Sequence, residues 1–331
     1  MHSIGLDISK STISVYIPVT NLHLEIDNTL KGIKGLYAKL KKLYKKEHRD
    51  LVFVYEPTGS YSALLNWFCH DKAINAFVIN PKQSRNYAKA IGKRNKTDRV
   101  DAEVLSRAIV VAEEDEIRIP VINAVVEEIK ELMSYYKFTV KQRVKTSNHF
   151  EAISSKNGSA HVIRELQKSI RALERQEREI LAKVLEVIAE DEKLQSAHEN
   201  IKSIKGIGDV SAAVLLHLFL KYPDANRQQI VSLTGLDPVE RESGSSVKSR
   251  SKISKAGSKL YRGTLFMSVM AAVRHNDEMR TFFTRLKENG KHTTLAQIAV
   301  MRKLIVIAHS LYKNDEKYSS EKYKKMTGSE E

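Results

Sequence analysis

Along the first hundred residues, apolar positions recur in two rhythms. "SIGLDIS" is a short apolar run that ends on an acid. "STISVYIPVT" follows with Ile13, Val15 and Ile17 at a period of two, the rhythm of a half-buried strand. "LHLEID" predicts a third strand, and "GIKGLYAKLKKLYKK" then changes to helical spacing. "DLVFVYEPTG" is apolar from Leu51 to Val54, as in a buried strand, and closes on Glu56 before a Pro-Thr-Gly turn. A helix runs through Trp67, which the pattern assigns to the core, and the strand "AINAFVIN" comes next. A last helix is predicted from about Thr97 to Val111. Hairpin strands followed by alternating strands and helices predict an α/β sheet with helical cover over residues 1–120, closed by Ile119-Pro120.

From Val125 to about Glu199 the pattern is helical and free of proline. "VIRELQKSIRALERQEREILAKVLEVI" places Ile163, Leu166, Ile170, Leu173, Ile180, Val184 and Val187 near a heptad, with Glu177 in one apolar slot. "SSKNGS" divides the segment into two arms, so residues 121–199 are expected to form a long coiled-coil-like helical hairpin. It would pair within one chain or between two. Residues 200–313 read as a mostly helical domain, interrupted by the loop "SSVKSRSKISKAGS". The charged tail 314–331 has little to bury and is expected to be disordered. The fold class expected is therefore α/β plus α.

Charge narrows the function. The 331 residues carry 55 Lys and Arg against 40 Asp and Glu, a formal net charge of +15. The excess is clustered. Lys82 to Arg99 holds seven Lys or Arg and one acid, Asp98; Arg241 to Arg262 holds seven and one, Glu242. Such clusters favour a nucleic-acid partner over an anionic membrane. No apolar run approaches a membrane span, and "MHSIGLDISK" lacks the layout of a signal peptide. Cys69 is the single cysteine, which excludes a disulfide framework and a Cys-rich zinc site. These features predict a soluble cytoplasmic, nucleoid-associated protein with no membrane partner.

Four carboxylates carry candidate chemistry. Asp7 and Glu56 end strands, while Asp98 and Asp101 stand three apart on one helix face inside "KRNKTDRVDA". Converging at one sheet edge, they would suit Mg²⁺, a hard ion that takes oxygen ligands. Metal held there would serve phosphoryl transfer. The plainer reading of Asp98 alone is a first-turn acid favoured by the helix dipole. Around the acids, Lys93, Arg94, Lys96 and Arg99 would contact phosphates; in the second basic cluster Arg241, Lys248, Arg250, Lys252, Lys255 and Arg262 would do the same. Lys205 is a weaker candidate: the Gly206-Ile207-Gly208 turn before a helix reads either as a tight turn that needs glycine's backbone freedom or as a phosphate-holding helix start, and the nearby Lys202 and Lys205 favour nucleic-acid backbone. The second cluster is rich in serine. By residue type each serine there reads as a phosphate hydrogen-bonder, and one of them as a possible nucleophile.

The ordered set "GLDISK", "YEPTG" and "KTDRVDA" resembles the signature of the DEDD insertion-sequence transposases, whose first domain is ribonuclease H/RuvC-like. That resemblance implies a metal-binding tetrad of Asp7, Glu56, Asp98 and Asp101. "TGLDPVERESG" followed by "SKAGSKLYRGTLF" resembles the C-terminal domain of the same family, with Tyr261 where leucine is more usual. It implies a serine nucleophile at Ser243, with Ser254 and Ser258 as alternatives. It further implies a 5′-phosphoserine intermediate, a structured bridge RNA that pairs with donor and target DNA, and a homo-oligomer, dimer or tetramer, whose subunits complete one another's sites.

Three functions follow. A recombinase that excises and inserts a mobile element needs both the acids and Ser243. A junction-resolving nuclease needs the acids alone and leaves free ends. A non-enzymatic nucleic-acid-binding protein needs neither.

Overall fold

In the computed structural model the residues described are 1–93, 97–240, 242–243, 247–248 and 252–327, with backbone alone for 242–243, 247–248 and 324–327. The chain divides into two compact units, Met1–Asn123 and Ala124–Glu331.

The first unit is built on a mixed sheet of six strands: β1 (His2–Ile8), β2 (Thr12–Ile17), β3 (Leu22–Asp27), β4 (Leu51–Tyr55), β5 (Asn75–Val78) and β6 (Ile117–Arg118). Their order across the sheet is β3-β2-β1-β4-β5-β6. The first three pair antiparallel, β1, β4 and β5 pair parallel, and β6 is antiparallel to β5. This arrangement is consistent with the expected RuvC-like α/β class. Helices α1 (Leu30–Tyr44), α2 (Ala63–Asp71), α3 (Pro81–Ala90) and α4 (Asp98–Arg107) cover it.

The pleat sends alternate residues to opposite faces. Ile4, Leu6 and Ile8 of β1 join Leu51, Phe53 and Tyr55 of β4 in one core, with Ile33, Leu36 and Leu40 of α1 and Leu65 and Phe68 of α2. Val52, Val54, Phe77 and Ile79 face the other way, against Leu105 and Ala108. Trp67, expected in the core, is instead 45% exposed. Helix α2 spends its buried face on Leu65, Phe68 and Cys69, which leaves position 67 on the outer side.

The second unit opens with α5 (Ala124–Ser154) and α6 (Ala160–Ala189), two long helices packed on each other around the turn at residues 155–159. Near the hairpin's base Ile129, Met133, Val184, Val187 and Ile188 enter a core shared with the rest of the unit. Glu177, in an apolar slot of the heptad pattern, accepts from Arg143 Nε at 2.7 Å across the helix pair. Then follow α7 (Glu192–Lys202), α8 (Asp209–Lys221), α9 (Arg227–Leu233), short strands β7 (Pro238–Val239), β8 (Glu242–Ser243), β9 (Val247–Lys248) and β10 (Lys252–Ile253), and α10 (Lys259–His275), α11 (Asp277–Glu288), α12 (Thr293–Asn314) and α13 (Ser320–Thr327).

Helix α12 is long and apolar enough to cross a membrane, yet half of that stretch is buried, with Val300, Leu304, Ile305 and Ala308 in the core. Within the tail expected to be disordered, the described residues turn back after Asn314 and pack as far as Tyr323, and residues 328–331 lie outside the described residues. Tyr323 is 2% exposed and stacks on Tyr318, while Tyr318 and Ser320 both donate to the buried Glu278 carboxylate. Two aromatics and one buried acceptor outweigh the charged composition that predicted disorder.

His217 lies deep in this core, 3.0 Å from the Tyr261 hydroxyl through Nδ1. Burial, aided by Lys221 and Lys130, pushes its pKa down to about 4. Between that value and the ordinary 6.5 the unfolded chain binds a proton that the folded chain refuses, so the contribution is full above pH 6.5 and is lost as pH falls towards 4. The melting temperature of the wild type should therefore drop faster than that of His217→Gln on acidification from pH 7 to 5. Parallel thermal melts check this.

Candidate functional site

The acids are positioned by the packing of α4 on β1. Gly5 sits directly under the helix: a Cβ placed there would come 1.9 Å from the Ala102 carbonyl oxygen and 2.6 Å from the Ser106 nitrogen. Two residues earlier on the same face, Ser3 and Ser106 hydroxyls meet at 3.1 Å, and Ser106 also donates to the Ser3 carbonyl. Ser3 thus matches Ser106 and Gly5 matches Ala102, with the helix running antiparallel to the strand. Two strand residues advance about 6.6 Å and four helical residues about 6 Å, so the next match brings Asp7 level with Asp98.

Glu56 arrives by a second register. Leu6 pairs with Tyr55 across the parallel β1–β4 ladder, and one further step sets Glu56 beside Asp7, about 4.8 Å away strand to strand. By pleat parity both belong to the face that carries Val52 and Val54, the α4 side. Asp98 and Asp101 occupy the first turn of α4, whose N-cap Thr97 accepts from the Val100 N–H at 3.3 Å. The helix dipole accounts for two acids in that turn. It does not account for two more at the ends of adjacent strands beneath it. Asp7, Glu56 and Asp101 are partly exposed and Asp98 is exposed.

The donor set is entirely carboxylate oxygen, the chemistry that Mg²⁺ prefers. The backbones converge further than the side chains do: among the described residues no three His, Cys, Asp or Glu are grouped closely enough to hold an ion. Like charges repel, so closing such a group takes a cation.

The basic residues around the acids divide. Lys93 is 3.3 Å from both oxygens of Glu103, which also pairs with Arg107 at 2.7 Å, so it braces the helix. Arg99 is exposed, and Arg94 and Lys96 lie outside the described residues.

The second candidate region is a loop whose root is fixed by backbone. Gly235 adopts φ +66°, and a Cβ on it would come 2.6 Å from the Arg262 guanidinium. Lys255 N–H donates to the Gly235 carbonyl and Ser254 N–H to the Asp237 carbonyl, at 3.1 and 2.9 Å. β7 pairs antiparallel with β10, and further out β8 pairs with β9, Ser243 opposite Val247. The predicted nucleophile thus stands on β8, paired with β9. Ser254 donates to the Asp237 carboxylate at 2.6 Å, and Ser258 caps α10 by accepting from the Leu260 N–H, so both alternatives have structural work.

Arg262, expected on phosphate, donates from Nη1 to the Thr234 and Gly257 carbonyls at 2.9 and 2.6 Å and ties the two ends of the loop together. Lys205, Lys252 and Lys255 are exposed; Arg241 and Arg250 lie outside the described residues, and of Lys248 the backbone alone is described. The Gly-x-Gly turn follows the plainer reading in part. Gly206, at φ +107°, lets the backbone of α10 approach, since a Cβ would come 2.6 Å from Ala272. Lys202 pairs with Asp209 at 2.7 Å.

Comparison with known proteins agrees with this two-part layout. Residues 4–154 match a transposase family model described by its name as the DEDD type, and residues 198–284 match the model "Transposase IS116/IS110/IS902 family". The chain is a DNA recombinase of the transposase class. It is 27% identical to the pilin gene-inverting proteins of Moraxella bovis and Moraxella lacunata, in each case over 94% of this chain and 96% of the relative. The transposase match implies DNA as a binding partner. The first model covers the sheet with all four acids, and the second covers the clamped loop with Ser243.

Two substitutions probe this architecture. Gly5→Val should lift α4 from β1 and destabilise the first unit by about 2 kcal/mol or more, because the clash is with backbone that cannot turn aside; urea melts read it. Arg262→Gln should cost about 1.5–3 kcal/mol, the range for hydrogen bonds from a charged donor. It should also speed amide exchange at Ser254 and Lys255, while a residue acting only on phosphate would leave that exchange unchanged.

Proposed function

We propose that this transposase excises and inserts a mobile DNA element by strand exchange through a 5′-phosphoserine intermediate, with the four acids holding Mg²⁺ and Ser243 as nucleophile. The observation that carries this reading is the double register that brings Asp7, Glu56 and the first turn of α4 to one sheet edge. Mg²⁺ bound by Asp7, Glu56, Asp98 and Asp101 would supply positive charge to a phosphate in transfer. The Ser243 oxygen attacks phosphorus, the serine–phosphate bond forms, and the bond to the 3′ oxygen breaks. The serine proton leaves and the departing 3′ oxygen gains one. Attack by the 3′ hydroxyl of the exchanged strand reverses the step and frees the serine, so bond energy is conserved without a co-reactant.

Several features support the choice of Ser243. It follows the "GLDP" element on which the family resemblance rests, and Ser254 and Ser258 are engaged elsewhere. The exposed lysines Lys205, Lys252 and Lys255 suit DNA or RNA backbone. The resemblance extends the proposal to a bridge RNA as guide, to a homo-oligomer, and to coiled-coil pairing of the α5–α6 hairpin.

Asp98→Asn and Ser243→Ala should each lower strand exchange at least a hundredfold on DNA carrying the element ends, while Ser254→Ala keeps the activity within about tenfold. Mixing the two inactive chains should restore part of the activity if subunits share sites; no recovery in any mixture would contradict sharing. Full cleavage by Ser243→Ala with free ends would replace this reading with the nuclease that uses the acids alone.

A further inference from the structure

A groove of about 680 Å³ opens in the second unit between α9, the loop root and α12. Its walls combine Val231, Pro238, Val306 and the Phe282 ring with the cations Arg227, Arg302 and Lys303. Lys303 Nζ lies 4.3 Å above the Phe282 ring, and the Arg285 guanidinium lies 5.7 Å from the same ring. Asp237 is the acid of the lining, and its carboxylate already accepts from Ser254.

Hydrophobic floor and cationic rim together select a ligand that is flat or apolar on one side and anionic on the other. We infer that this groove binds an unpaired nucleotide of a nucleic-acid strand, its phosphates on Arg227, Arg302 and Lys303 and its base against Phe282, Val306 and Pro238. A duplex hides its base faces in the stack and offers this floor only backbone. A single strand offers both halves, and aromatic floors under positive rims are the usual form of single-strand sites. The Lys303 ammonium is half-buried beside Arg285, and burial first and Arg285 second hold its pKa below the ordinary lysine value. The groove also stands at a useful place. Pro238 is five residues from Ser243, so a strand held here is within about 17 Å of chain from the proposed nucleophile. The inference rests on the chain's nucleic-acid substrate and requires neither Ser243 nor the acids.

The test uses the full chain and fluorescence anisotropy with labelled dT20 and a duplex of equal length, without metal. Arg302→Ala/Lys303→Ala should weaken dT20 binding at least tenfold and reduce its salt slope by about 1.4, the value for two single-strand phosphate contacts. Phe282→Leu should weaken dT20 severalfold with the slope unchanged, and neither variant should weaken the duplex to the same extent. Arg302→Gln alone, at an exposed position, serves if the double variant melts early. Unchanged dT20 affinity in the charge variant overturns the inference. An equal loss on duplex overturns it too, since that marks a plain phosphate contact. Because neither strand exchange nor metal enters the assay, its failure is distinct from failure of the serine mechanism.

Discussion

The close approach of α4 to β1 at Gly5 governs the first unit. A helix backbone resting on a strand backbone leaves no space for even a methyl group. That contact fixes the helix along the strand as well as against it, because Ser3 and Ser106 lock the neighbouring step. Once the register is fixed, the first turn of α4 has to lie over the end of β1. The parallel ladder to β4 then sets Glu56 beside Asp7. Four carboxylates from three elements are thereby brought to one edge by backbone geometry, with the helix dipole stabilising the two at its start.

The second unit uses the same device for a different end. Gly235 and Gly257 make room for the Arg262 clamp; a Cβ at 257 would come 2.0 Å from the Leu233 carbonyl oxygen. A sealed root lets a polar, serine-rich loop extend from an apolar core without exposing that core. Below it, the Tyr261–His217 pair places polar groups in the interior, where Tyr261 is held protonated by burial. The tail adds a further closure through Glu278. The acids and the serine stand on separate units, each supporting one half of the proposed phosphoryl-transfer chemistry.

Much of this was legible in the sequence because strands and amphipathic helices announce themselves by period. The six-residue alternation of β2, the buried run of β4 and the acids at strand ends all read directly. Helix α3 did not, since its ten residues bury little beyond Ser84. Trp67 misled because a large aromatic is usually buried, while the helix had already committed its inner face to smaller neighbours. The structural hydrogen bonds of Arg262 were not legible either, because composition records charge but not direction. The groove cations were invisible for another reason: tertiary packing brings Arg227 to the adjacent pair Arg302 and Lys303 from a distant segment, and no local motif links the two positions.

The central claim is that the serine of the clamped loop and the acids of the sheet edge act in one reaction. Covalent trapping measures this most directly: the protein is incubated with Mg²⁺, its flanking RNA and DNA carrying the element ends, then denatured, and any protein–DNA adduct is mapped by mass spectrometry. The account predicts a phosphoserine adduct at Ser243 that disappears in Asp98→Asn. Cut DNA with free ends and no adduct would contradict it.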